Sequence, residues 1–83
     1  MTIELYTLPN CKGCTQVKEM LNDWAIPYVE YDLKKPENHE ARKVWRALGL
    51  NIAPILICKK GDDENIITDF DFCTKLFLQK YID

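Results

Sequence analysis

Tyr6-Thr7-Leu8-Pro9-Asn10-Cys11-Lys12-Gly13-Cys14-Thr15-Gln16-Val17-Lys18 places two thiols three residues apart, between an apolar run and a helical pattern. Upstream, Thr2 to Thr7 alternates polar with apolar side chains and is rich in strand formers, which predicts a short first strand ended by Pro9 and Asn10. Downstream, Cys14, Val17, Met20, Leu21 and Trp24 recur at spacings of three and four, the stripe of a helix that starts close to Cys11 and runs to about Trp24. Tyr28 to Leu33, aromatic and β-branched, then reads as a second strand. A strand, a helix and a strand in so short a span make a βαβ unit, which implies two parallel strands.

The rest of the chain extends this unit. Pro36 suits the first turn of a second helix, with Ala41, Val44, Trp45 and Leu48 as its buried stripe and Gly49 as its stop. Pro54 to Cys58 is almost continuously apolar, as in a strand buried on both faces. Lys60-Gly61-Asp62-Asp63 supplies a turn, and Glu64 to Thr68 returns as an antiparallel fourth strand. Phe72, Leu76, Phe77 and Tyr81 recur at helical spacing over Asp71 to Tyr81, with Thr68, Asp69 or Asp71 as the cap. The expected order is βαβαββα, an α/β fold with a four-stranded mixed sheet and three helices, forming one domain over residues 1–83.

Composition narrows the function. With 47% hydrophobic residues, 29% charged residues and a net charge of −2, the chain has neither the basic excess of a nucleic-acid binder nor a disordered acidic tail. No apolar run reaches the roughly 18 residues of a membrane span, and the first residues do not resemble a secretion leader. A cytoplasmic monomer, binding neither membrane nor nucleic acid, is expected. In a reducing compartment four cysteines do not make a disulfide framework.

Cys11-Lys12-Gly13-Cys14 is a C-x-x-C pair beside a βαβ pattern, a context for thiol–disulfide exchange. At a helix start, free N–H groups and the positive end of the dipole favour a negative sulfur, so Cys11 is the expected nucleophile, with a lowered pKa. Cys14, one turn further in on the apolar stripe, is the expected resolving thiol. Lys12 adds positive charge beside the nucleophile, and Gly13 leaves room for a partner to approach. Half of a zinc site is the alternative, but Cys58 and Cys73 are far apart and His39 stands alone in a charged segment, so no tetrahedral ligand spacing appears. Cys58 and Cys73 read as small buried hydrophobes and His39 as a solvated helix residue. Trp45, Phe70 and Phe72 read as core. Pro54, taken alone, is a strand-entry proline.

The segments ELYTLPNCKGC, LNIAPILI and IITDFDF resemble the glutaredoxin family of the thioredoxin-like fold, across essentially the whole chain. The resemblance implies a cis Pro54 facing the cysteine pair and an Ala53 backbone that pairs with substrate like an added strand. It also implies substrate contacts at Thr68, Asp69 and Asp71, the last matching the aspartate that meets the glutathione amino group. The chain departs from the pattern in four places: Leu8 replaces a lysine, Gly13 a tyrosine or similar residue, Ile52-Ala53-Pro54 a Thr-Val-Pro, and Thr68-Asp69 a glycine pair. Lys12 can supply the charge absent at Leu8. Arg42, Lys43 and Arg46 are either partners for glutathione carboxylates or a solvated basic face.

Three functions follow as expectations. One is a dithiol oxidoreductase with no bound cofactor, reducing protein or glutathione mixed disulfides with glutathione as reductant. The second is a redoxin recharged by a thioredoxin reductase and donating electrons to ribonucleotide reductase. The third is a module holding a metal or an iron–sulfur cluster.

Overall fold

A computed structural model describes residues 2–82. Strand β1 (Thr2–Thr7) leads into helix α1 (Lys12–Asp23), followed by β2 (Val29–Asp32), α2 (His39–Ala47), β3 (Ile55–Lys60), β4 (Asp63–Ile67) and α3 (Lys75–Gln79). Single 3-10 turns at Pro36–Asn38 and Phe70–Phe72 precede α2 and α3. The sheet order is β2-β1-β3-β4, with β1 parallel to β2 and antiparallel to β3, and β4 antiparallel to β3. This is the thioredoxin-like α/β fold.

Strand alternation sorts the core into two layers. Ile3 and Leu5 of β1 and Leu56 and Cys58 of β3 face α1 and α3, where they meet Val17, Leu21 and Leu78. Tyr6, Ile55 and Ile57 face the other way, onto Leu33 and Ala41 of the α2 side. The run Ile55 to Cys58 is wholly buried because helices cover both faces of β3. Truncating Leu56 to alanine costs about 2–5 kcal/mol, the range for buried leucines.

Turns are set by a few residues with positive φ. Gly61 at φ +60° closes the β3–β4 hairpin, and Gly49 at φ +72° ends α2. Helix α1 ends in a Schellman motif, with Ile26 N–H on the Leu21 carbonyl at 2.9 Å and Ala25 N–H on that of Asn22 at 3.1 Å. Ala25, at φ +55°, occupies the left-handed position of that motif. Asn65 of the edge strand β4 donates to the Tyr81 hydroxyl, tying the chain beyond α3 to the sheet.

The C-terminal helix differs most from expectation. It is confined to Lys75–Gln79, and its cap is Thr74, whose Oγ1 accepts the Phe77 N–H at 3.2 Å. Asp69 instead takes the Asp71 N–H at 3.1 Å and nucleates the 3-10 turn, with Cys73 extended in between. Two competing local caps break the stretch in two. The helical spacing is lost, so Phe72 and Leu76 lie 84% and 78% exposed rather than buried, while Phe70 and Cys73 pack inward. Val44, expected in the α2 stripe, is 43% exposed, because it stands over an open groove beside Tyr31 and Lys59 that no neighbouring element covers. Trp45 and Leu48 pack on the core as expected. His39 is exposed. Among the described residues no helix is long and apolar enough to cross a membrane.

Candidate active site

Antiparallel pairing of β1 with β3, with Tyr6 opposite Ile55, sets the exit of β1 beside the entry of β3. The cysteine loop leaves the first and the Ala53–Pro54 loop enters the second, so residues far apart in sequence meet at one edge of the molecule. Asn10, at φ +59°, turns the chain into α1; asparagine tolerates that conformation better than most residues.

Cys11 is the N-cap of α1, with extended backbone angles of φ −104° and ψ 111°. Its Sγ accepts the Cys14 N–H at 3.2 Å, taking the role a serine or aspartate oxygen usually has. The same Sγ donates to the Ala53 carbonyl at 3.8 Å. Cys11 is half-buried, at the positive end of the helix dipole. Cys14 is buried on the stripe with Val17 and Leu21. Its thiol is pushed up to about 11, first by burial and then by its hydrogen bond with Cys11, while a Leu8 backbone bond and the Lys18 charge pull the other way. The pair therefore differs in exposure as expected.

The Ala53–Pro54 peptide bond is cis, and Pro54 faces the pair through Gly13. A Cβ placed on Gly13 would lie 3.1 Å from Pro54 Cδ, so the absent side chain lets α1 close on this loop. Beyond Gly13 a groove of about 270 Å³ continues between α1 and Phe70, with Asp71 at its rim. Cys11, Cys14, Ala53, Pro54 and Asp71 are thus assembled in one region.

The other expected site residues stand apart. Lys12 is exposed on the first turn of α1. Thr68 and Asp69 line a separate groove with Ile66 and Phe77, and the Asp69 carboxylate is already engaged in capping. Arg42 donates to the Leu33 and Lys35 carbonyls at 2.8 and 3.4 Å and so holds the loop after β2, while exposed Lys43 pairs with Glu40 at 3.6 Å. Arg46 remains beside Leu8 and Trp45 in a groove of about 450 Å³.

Two contacts escape sequence reading. One is the approach of Gly13 to Pro54. The other is the bond from Trp45 Nε1 to the Ile52 carbonyl at 2.8 Å, which ties α2 to the loop before Pro54. The only signal for the second is that a half-buried indole N–H needs an acceptor. Cys58 and Cys73 are buried free thiols whose acidity burial suppresses, Cys58 up to about 12. They are the small hydrophobes expected. Among the described residues no group of three or more His, Cys, Asp or Glu side chains is arranged to hold a metal.

The family model Glutaredoxin matches residues 3–61, most of the chain and both cysteines of the pair. The chain belongs to the glutaredoxin family. Thr68, Asp69 and Asp71 lie beyond the matched part of this glutaredoxin-family chain. Among solved structures it is similar to the thioredoxin-like protein BC3987, 28% identical over 96% of this chain and 99% of that one, with a TM-score of 0.62. A point mutant of BC3987 gives 26% identity over 99% and 100% of the two chains, also at 0.62. No curated protein matches it. Family membership and fold together support a thiol redox function for this chain.

Proposed function

We propose that the protein is a dithiol thiol–disulfide oxidoreductase that reduces protein or glutathione mixed disulfides through Cys11 and Cys14. The observation that carries the reading is the position of Cys11 Sγ at the helix cap, between the Cys14 N–H at 3.2 Å and the Ala53 carbonyl at 3.8 Å. Cys11 attacks a substrate disulfide as the thiolate, forming a Cys11–substrate bond and releasing one substrate thiolate, which takes a proton. Cys14 gives up its proton and attacks the Cys11 sulfur, releasing the second thiol and leaving a Cys11–Cys14 disulfide. Two electrons pass from the protein to the substrate. Exposed Lys12 favours an anionic leaving sulfur, Ala53 and Pro54 line the substrate backbone, and Asp71 lies at the rim. Asp69 positions Asp71 by accepting its N–H, and Thr68 borders the neighbouring groove. A reducing compartment, the cytosol, suits the free thiols.

Glutathione is the proposed reductant. A second reading, in which a thioredoxin reductase recharges the pair and ribonucleotide reductase receives its electrons, is favoured by one set of observations. Leu8 carries no charge, Arg42 is engaged on backbone carbonyls, and Asp69 is engaged in a cap. Turnover with glutathione and its reductase, set against turnover with thioredoxin reductase on the same preparation, separates the two. With glutathione as reductant, Cys14→Ser still turns over glutathione mixed disulfides, because a second glutathione resolves the Cys11 adduct. With a reductase as electron source, either substitution stops turnover. Stoichiometric metal in the purified protein without disulfide reduction would overturn both.

A further inference from the structure

We propose that the groove between α2 and the sheet, lined by none of the residues around the cysteine pair, is a binding site for an aliphatic primary ammonium ion of the kind carried by a free diamine or a lysine side chain.

Strand alternation builds the site. Glu4 and Tyr6 of β1 and Lys59 of β3 share the face that turns towards α2, and Tyr31 of β2 stands in register beside Tyr6. Glu40, Ala41 and Val44 of α2 complete the walls of a groove of about 210 Å³. Cys11, Cys14, Ala53 and Pro54 lie outside it.

Two polar groups in this groove lack partners. Tyr6 is only 2% exposed, yet its hydroxyl makes no hydrogen bond among the described residues. Glu4 Oε1 is buried and has no hydrogen-bond donor: the Lys59 ammonium lies 3.2 Å away as an ionic neighbour, without the alignment of a hydrogen bond. Buried polar groups are otherwise almost always satisfied, so two acceptors here call for a donor. Burial, with Glu4, Tyr31 and Glu64 adding to it, pushes the Tyr6 hydroxyl up to about 12, and the same surroundings favour an incoming positive charge.

The chemistry selects the ligand. Glu4 and Glu40 against Lys59 leave the lining net negative, which disfavours an anion. The Lys43 partner of Glu40, at 3.6 Å, belongs to a mostly solvated pair that changes this little. Among the described residues no three or more His, Cys, Asp or Glu side chains are arranged to ligate a metal. A primary ammonium supplies N–H donors to Glu4 Oε1 and to the Tyr6 oxygen, which a quaternary ammonium does not. It also gains from the rings of Tyr6 and Tyr31, whose centroids are 5.4 Å apart. Its methylenes run along Ala41 and half-exposed Val44. The groove exceeds the volume of about 150 Å³ that accommodates benzene in an engineered cavity, so a four-carbon stem fits.

The test is titration of the reduced, isotope-labelled protein with butylammonium, followed by amide chemical shifts. Disulfide turnover is no part of the readout, so the result stands apart from the oxidoreductase reading. Signals of Tyr6, Tyr31, Glu40 and Val44 should move together, with a Kd on the order of 1–10 mM for so small a ligand. Neutral 1-butanol and tetramethylammonium should bind about tenfold more weakly. Of 1,4-diaminobutane and Nα-acetyl-lysine methylamide, the one that saturates at lower concentration identifies the source as a free diamine or a polypeptide lysine. Tyr6→Phe keeps the ring and should weaken butylammonium about threefold, the loss of one hydrogen bond, while leaving tetramethylammonium unchanged. Glu40→Gln, at an exposed position, should weaken both ions. Lys59→Met removes the internal ammonium that competes for Glu4 and should tighten butylammonium about threefold. Absence of localised shifts at about 50 mM butylammonium, or shifts at exposed Glu37 and Asp62 as large as those at Tyr6 and Tyr31, would overturn the proposal. Equal effects of 1-butanol would overturn it as well.

Discussion

Cys11 Sγ and the Ala53 carbonyl oxygen lie 3.8 Å apart, joined across the gap between the start of α1 and the loop entering β3. Cys11 is half-buried in this gap, whereas Cys14, Cys58 and Cys73 are buried. Iodoacetamide added briefly to the reduced native protein should therefore label Cys11 first and leave the other three largely unmodified, as read by peptide mass spectrometry. In denaturant all four should react. Equal native labelling of Cys58 would contradict the packing described.

The buried thiols predict how stability changes with pH. Folding raises Cys14 to about 11, Cys58 to about 12 and Tyr6 to about 12, and raises Cys73 as well, in each case chiefly by burial. The unfolded chain loses these protons more readily, so their contribution is fully present below about pH 9 and is lost as pH rises towards 12. Each tenfold change in acidity corresponds to about 1.4 kcal/mol per group. Urea midpoints of the reduced protein should hold between pH 7 and 8.5 and fall steadily above pH 9. Cys58→Ala should flatten that fall while costing about 1 kcal/mol at neutral pH.

Ala25 holds the left-handed position of the α1 Schellman motif, where a Cβ is unfavourable. Ala25→Gly should stabilise the protein by about 0.5–1 kcal/mol, raising Tm by a few degrees. A lower Tm would show that the loop does not hold this conformation in solution.

Two arginines of α2 should part company. Arg42→Lys loses the fork that grips the Leu33 and Lys35 carbonyls and should cost about 1 kcal/mol of stability. Arg46→Ala, at an exposed site, should leave stability within about 0.5 kcal/mol. If glutathione is the reductant, only Arg46→Ala should raise the KM for glutathione without lowering Tm, and calorimetry beside steady-state kinetics distinguishes the two effects.

The parts of the fold that were legible in the chain are those with a period. Alternation in Thr2 to Thr7, the stripe Cys14, Val17 and Leu21, and the solid apolar run at Ile55 to Cys58 each dictate one element and the face it buries. The last segment misled because Asp69 and Thr74 compete for nearby backbone N–H groups, and no periodicity records which cap wins. Val44 misled because helical spacing gives a direction but not the extent of the surface facing it. In the candidate site, Cys11 and Cys14 announced themselves by spacing and Pro54 through family likeness. The Gly13–Pro54 approach and the Trp45–Ile52 bond are tertiary facts that local patterns do not encode.

The contact between Cys11 and Ala53 spans 42 positions of sequence. During synthesis, then, the dithiol emerges well before the segment that completes its surroundings. Until β3 has docked against β1, the nascent chain carries two sulfurs with no Ala53 carbonyl beside them, and the surroundings of Cys11 are complete only once the sheet has closed.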